Sequence, residues 1–326
     1  MVLSSIHMEI EQLKNNHKET NRPSLTKLGL KCSNCGSEQF HLQYDFNVKT
    51  IMECDNCQLM VINPFPTTDE LKQVYSDDYF SNKDLVKSNL DGIYGYVDYM
   101  YERLNKQGGY KTICEKISHY LGKQKDQEAS LLDFGCGLGY FLDSAYDYGF
   151  AVHGVEFNEY ALSAIKKRYA YPVKIFNAFD EFDKKFDAIT MLDVIEHLED
   201  PFTALDRING KLNKGGILVV HTMDSKSFVS RLLGSRLEDF RRIREHLFFF
   251  SRKNLKQALE KRGFEILEIY FEGHTFEFKY LAQRIKTVSP LLGKLLDFSL
   301  KLFPFLSRLN IYINPRTKII LYARKS

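Results

Sequence analysis

From Ser130 onward the chain alternates short apolar runs with amphipathic stretches, and this alternation limits its fold more than any other feature. Segments 131–134, 151–156, 173–176, 186–192 and 216–222 have the length and apolar character of buried strands. Helical patterns separate them at 140–148 and 158–169, and again from Asp200-Pro201 to residue 212, with proline at the first helical position. Ser251 caps a further helix that ends before Gly263, and 264–271 and 318–323 read as two last strands. Strands alternating with helices predict a doubly wound, mostly parallel α/β sheet.

A chain of 326 residues has the length of about two domains. Its 44% hydrophobic and 27% charged residues exclude a mainly disordered or collagen-like chain, and 25 Phe with 19 Tyr can fill a sizeable core. Nowhere do about 18 apolar residues run together, and residues 1–21 lack the apolar centre of a secretion signal. Six cysteines are too few for a disulfide scaffold, so the expected compartment is reducing and cytoplasmic. The sequence divides into a polar lead-in (1–29), a cysteine-rich segment (30–66), a helical linker or lid (67–128) and the α/β domain (129–326). Thr67 or Thr68 can cap a helix through Leu71 and Val74, and a helical insertion at 274–316 interrupts the last two strands.

Cys32 and Cys35 form one C-x2-C pair, and Cys54 and Cys57 form a second after 18 intervening residues. That spacing fits a closed, four-thiolate tetrahedral zinc site, structural because it has no open position. So short a segment cannot bury enough apolar surface to fold alone, so metal binding would supply its folding energy. Cys114 and Cys136 are expected to be buried neutral thiols.

Asp133-Phe134-Gly135-Cys136-Gly137-Leu138-Gly139-Tyr140 follows the first strand of the alternation and opens a helix. Glycines there let the backbone approach a ligand closely. The spacing is not that of a dinucleotide fingerprint, which wants a sixth-position glycine where Tyr140 stands. Glu156 ends the next strand, placed to accept hydrogen bonds from both hydroxyls of a ribose, and Asp133 can face a cationic ligand.

The glycine loop, the Gly154-Val155-Glu156-Phe157-Asn158 stretch and the 192–201 segment L-D-V-I-E-H-L-E-D-P resemble the class I S-adenosylmethionine-dependent methyltransferases. The nearest branch includes the ubiquinone-pathway O-methyltransferases, and the likeness covers about residues 90–326. It implies a Rossmann-like seven-stranded sheet with the last strand antiparallel. It also implies that Gly135, Gly137 and Gly139 line the methionine and ribose part of the cofactor. Glu156 would hold the ribose with Asn158 beside it, and Ala178 and Phe179 would flank the adenine. Tyr96 would lie in a helix closing over the cofactor. Zinc ribbons precede the methyltransferase domain in relatives of this kind.

Asp193, Glu196 and His197 fall just past the fourth strand, near the expected position of the transferring methyl. The sulfonium methyl is already activated, so an enzyme has mainly to align an acceptor and take its proton. His197 and His246 are the candidate bases, with His221 a third. In ubiquinone-type relatives an acidic-acidic-His cluster can hold a divalent metal, here Asp193, Glu196 and His197 as an Mg²⁺ set. The chain lacks the Asn/Asp-Pro-Pro-aromatic turn of nucleobase and amide N-methyltransferases, which favours oxygen or carbon acceptors and makes nucleic acid an unexpected partner. Three readings stand: O-methylation of a small molecule or glycan precursor, C-methylation of a nucleotide-linked sugar, and a non-catalytic zinc-ribbon module that binds RNA or a partner.

Charge is unevenly spread: residues 226–326 carry 21 Lys+Arg against 9 Asp+Glu, although the whole chain is only +3. This basic half, including Arg231, Arg236, Arg241, Arg242 and Arg244, predicts an anionic acceptor or surface. The 289–309 stretch interleaves Leu and Phe with Lys294, Lys301 and Arg308. Its longest uninterrupted apolar run is only Leu302 to Leu306, which Pro304 would kink, so it does not read as a membrane span but as a lid, a dimer surface or a peripheral contact on the inner membrane face.

Overall fold

The computed structural model describes residues 30–75, 79, 99–123, 128–168, 174–176, 184–279, 282, 285 and 290–326. Among them, Phe40–Asp45 (β1), Thr50–Cys54 (β2) and Met60–Asn63 (β3) form an antiparallel meander. Helix Thr68–Val74 (α1) follows, opened by a capping box in which Thr67 accepts from the Glu70 amide while the Glu70 side chain accepts from the Thr67 amide. After Tyr99–Leu121 (α2) come Ala129–Phe134 (β4), Tyr140–Tyr148 (α3), Phe150–Val155 (β5), Glu159–Arg168 (α4), Lys174–Phe176 (β6) and Phe186–Leu192 (β7).

Helix Pro201–Lys211 (α5) starts as its sequence predicts: Asp200 accepts from the Thr203 amide and Pro201 occupies the first turn. Leu212–Met223 (β8), Phe228–Leu233 (α6), Glu238–Arg241 (α7), Phe248–Phe249 (β9), Arg252–Glu260 (α8), Phe264–Glu277 (β10), Pro290–Leu302 (α9) and Asn310–Lys325 (β11) complete the described chain.

The large sheet has the order β10-β11-β8-β7-β4-β5-β6. The strands from β4 to β8 are parallel, and β11 runs antiparallel to both of its neighbours. Residues on β4, β7 and β8 such as Leu132, Ile189 and Leu218 are fully buried, because helices cover both faces of a parallel sheet. β10 and β11 are longer than their apolar runs imply, since pairing continues to Glu277↔Asn310 before the helical insertion begins.

The cysteine-rich segment is not a separate bead. β3 pairs with β9, giving a second sheet of order β1-β2-β3-β9, and Ile51, Met60 and Ile62 share one core with Phe240, Phe249 and Leu255. Lys226 also donates to Glu53 across this junction at 2.5 Å. No described helix is long and apolar enough to cross a membrane.

Candidate active site

The strand order reverses between β4 and β7, and open α/β sheets bind ligands in the crevice outside the carboxyl ends of strands at such a point. The loop after β4 supplies one wall. Gly135, Gly137 and Gly139 take φ of 77°, 53° and 75°, a region that side chains strain to reach. At Gly135 a Cβ would come within 2.6 Å of Val194 Cγ2, so the loop closes on the turn after β7 only because the residue is glycine.

Glu156 ties this loop to β5. Its Oε2 accepts from the Gly137 amide at 2.7 Å, and its Oε1 accepts from the Phe157 and Asn158 amides at 2.8 and 2.9 Å. Burial pushes its carboxyl above the usual range, against the pull of those three donors. Asn158 caps α4 by accepting from the Ala161 amide at 2.9 Å, and its Nδ2 donates to the Tyr75 carbonyl at 2.9 Å. Asp133 accepts from the Thr190 hydroxyl at 2.6 Å. Burial pushes Asp133 up to about 7, with the Glu156 carboxylate adding and Thr190 opposing. A cationic ligand beside it would draw off that proton. Tyr96, Ala178 and Phe179 lie outside the described residues.

The turn after β7 forms the other wall. Asp193, at φ 56°, lies 3.1 Å from His221 Nδ1 and 3.1 Å from Lys318 Nζ. His221 Nε2 is 3.0 Å from Glu272, and Lys318 is 2.9 Å from Asp239. Burial alone would lower His221, but Asp193 and Glu272 outweigh it and raise the imidazole to about 9. It is therefore charged at neutral pH and unsuited to take a proton. Lys318 is likewise raised, its three neighbouring carboxylates overcoming burial.

The structure thus ties Asp193 to His221 and Lys318, and it brings together a different trio: ligand atoms of Glu196, His197 and His246 lie within 4.8 Å of one another. His197 Nδ1 is 3.0 Å from the Glu245 carbonyl and 2.9 Å from the Tyr75 hydroxyl. His246 Nδ1 donates to the Asp239 carbonyl at 3.0 Å. Burial, then His197, Arg242 and Lys318, hold His246 well below the usual imidazole range, so it is neutral. His197 is half-buried, while His246 is closed off from solvent.

Sequence reasoning missed Tyr75, Lys318 and Glu272. Tyr75 joins Asn158 to His197, yet no motif marks it. Lys318 and Glu272 meet Asp193 and His221 only because β11 inserts between β8 and β10. Beside this network a cleft of about 440 Å³ opens between α2 and the β10–β11 pair, lined by Gly109, Thr112, Tyr270, Glu272 and Tyr312 among others. Of the arginines ahead of His246, Arg242 is bound to Glu245 and Glu238 and belongs to the framework.

The His221 cluster predicts a pH-dependent stability. Its folded pKa lies above the unfolded value, so its contribution is complete below about pH 6.5 and is lost as pH rises through about 9. Stability from urea unfolding should fall over that interval by up to about 3 kcal/mol. His221→Gln should be less stable at and below about pH 6.5, draw level with the wild type as pH rises through about 9, and lack this slope; an equal slope in both proteins would contradict the assignment.

In the cysteine-rich segment, Cys32 and Cys57 Sγ are 3.5 Å apart and Cys35 and Cys54 Sγ 3.6 Å apart, and all four lie within 4.8 Å. A tetrahedral ion with thiolates at about 2.3 Å needs sulfur–sulfur edges of about 3.8 Å, so the donor set fits zinc.

The methyltransferase-domain family matches residues 104–269, about half of the chain. The chain belongs to that family, with the strand order and switch-point cleft of a class I S-adenosylmethionine-dependent methyltransferase. It is 27% identical over 116 residues to the ubiquinone biosynthesis O-methyltransferase of Alkalilimnicola ehrlichii, covering 32% of this chain and 47% of that one. It is 30% identical over 106 residues to the tRNA U34 carboxymethyltransferase of Nautilia profundicola, covering 30% and 35%. The matches therefore span less than half the length of these curated relatives. Among solved structures, the 1,6-didemethyltoxoflavin-N1-methyltransferase of Burkholderia thailandensis is similar at 16% identity and a TM-score of 0.47, over 87% of this chain and 99% of that one.

Proposed function

We propose that the chain transfers the methyl group of S-adenosylmethionine to an oxygen of a small-molecule or glycan-precursor acceptor. The observation that carries this reading is the meeting of the glycine loop and the Glu156 carboxylate at the sheet's switch point. The residues fit the cofactor: Glu156 Oε2 accepts only from the Gly137 amide and keeps an acceptor site for a ribose hydroxyl, while Oε1 is filled by the Phe157 and Asn158 amides. When bound, the cofactor supplies an activated methyl. Gly135, Gly137 and Gly139 would line its amino-acid and ribose part, Asn158 would fix the ribose end, and Asp133 would face its positive charge. Asp193, held by His221 and Lys318, shapes the turn that faces the methyl. His197, half-buried and oriented by Glu245 and Tyr75, would take the acceptor's proton, with His246 packed against it.

Incubation with methyl-labelled cofactor and matched hydroxyl, amine and carbon acceptors tests this. Label should appear in methyl ethers or esters, and His197→Gln should lower kcat at least tenfold while leaving cofactor affinity unchanged. Label confined to nitrogen or carbon would overturn the oxygen assignment.

The four cysteines are proposed to hold a structural zinc ion, supported by their spacing and edge lengths. The anionic partner is proposed to be a bilayer surface on the cytoplasmic side. Leu291, Leu295, Phe298 and Leu302 form an i, i+4, i+7, i+11 stripe on α9 that is 57–73% exposed, flanked by exposed Lys294 and Lys301. Vesicles with anionic lipid should co-sediment the protein, with binding lost in Phe298→Glu and weakened by salt. Equal binding to neutral vesicles, or none, would refute it.

A further inference from the structure

Glu196 is fully buried, and neither of its carboxylate oxygens has a hydrogen-bond partner. A carboxylate in such a place is costly unless something positive meets it. The Lys318 ammonium acts on it from nearby, and beside it stand two imidazoles, His197 and His246, each with a ligand atom within 4.8 Å of the others. Both rings have Nδ1 against a backbone carbonyl, Glu245 for His197 and Asp239 for His246. A ring nitrogen facing a carbonyl must carry a proton, so Nε2 is the nitrogen of each ring left to meet a ligand. This is how metal-binding histidines are held, their second nitrogen donating to a carbonyl that fixes tautomer and orientation.

The segments that carry the three groups are already locked together. The Leu247 amide donates to the Glu196 carbonyl at 2.8 Å, and the Ile62 amide donates to the Leu247 carbonyl at 3.0 Å. The rings of His197 and His246 sit edge to face, 4.8 Å between centroids. The trio is thus preorganised by backbone bonds and does not depend on a metal to assemble.

We propose that Glu196, His197 and His246 bind one divalent transition-metal ion. Two imidazoles and one carboxylate form a nitrogen-rich set of the kind that takes Zn²⁺ or Fe²⁺ rather than Mg²⁺, which prefers oxygen. The set differs from the Asp193, Glu196, His197 trio implied by resemblance in both its third ligand and its ion, since Asp193 is held by His221 and Lys318. The only half-exposed member is His197, so the ion would be approached from the Tyr75 side. There it would clamp the turn after β7 to the segment before β9. The proposal rests on the geometry of the trio and not on the methyl-transfer reading. His197 Nε2 cannot hold the ion and take the acceptor's proton at once, so metal loading and the base role of His197 exclude each other.

Cobalt tests it, because Co²⁺ reports its ligands. The full chain, stripped of metal and titrated with Co²⁺, should take up two equivalents. One should show thiolate-to-metal charge transfer from the cysteine site, and the other only the weaker d–d absorption of a nitrogen and oxygen set. His246→Ala and Glu196→Gln should each lose the second signal and keep the first. Glu196→Gln keeps the shape and removes the buried charge, so it should fold even if His246→Ala does not. Zn²⁺ beyond the first equivalent should raise the melting midpoint of the wild type and not that of Glu196→Gln. Uptake of a single equivalent, or a second signal that persists in both variants, would overturn the proposal.

Discussion

Glu156→Ala should abolish measurable cofactor binding and also weaken the fold. The carboxylate does two jobs. Toward the ligand Oε2 offers an acceptor for a ribose hydroxyl, and a hydrogen bond to a charged group contributes about 1.5–3 kcal/mol. Toward the protein it satisfies the amides of Gly137, Phe157 and Asn158. Alanine leaves those three donors unanswered beside a loop already held at positive φ. We expect a loss of about 3–5 kcal/mol of stability and at least a hundredfold weaker cofactor binding. From sequence alone the residue reads as a ligand contact that could be cut away without touching the fold; the three backbone bonds make it part of the loop's support. Calorimetry and urea unfolding on the same variant separate the two effects. An unchanged affinity would refute the ribose role, and an unchanged midpoint would refute the supporting role.

Removing the metal from the four-cysteine site should have the larger effect on stability, since apparent folding energies of structural zinc reach about 10 kcal/mol or more. A free-standing ribbon would unfold alone. Here β3 pairs with β9, and Phe248 and Phe249 follow directly on His246 and Leu247. Cys54→Ser should therefore lose zinc, and hydrogen exchange should quicken both at 32–63 and at 246–250. The Leu247–Glu196 backbone bond should loosen with them, so the variant should also lose methyl-transfer activity. If exchange quickens in 32–63 alone and activity persists, the ribbon is not structurally coupled to the site.

What could be read in advance was whatever depends on neighbours in sequence. The glycine loop, Glu156 two residues before Asn158, the Asp200-Pro201 start and the paired cysteines each announce themselves within about 20 residues, because turn geometry, capping and metal-ligand spacing are local. The charge network was not readable. Lys318 reaches Asp193 across 125 residues and Tyr75 reaches His197 across 122, and only the antiparallel insertion of β11 and the docking of α1 create those contacts. The same holds for His246: its segment could be suspected, but its closeness to Glu196 and His197 comes with the backbone bond from the Leu247 amide to the Glu196 carbonyl. His221 shows the converse. Its position at the end of a strand suggested a base, and the two carboxylates that fold against it make it a charged strut instead.

The account stands on cofactor binding in the cleft between β4 and β7, and titration of the 326-residue chain with S-adenosylhomocysteine tests it most directly. We expect one binding site per chain by calorimetry. At a ligand concentration of 100 times Kd, stability should rise by about 2.7 kcal/mol, and Glu156→Ala should show neither response. A folded, zinc-loaded protein that gives no heat and no rise in stability with millimolar ligand would contradict the account.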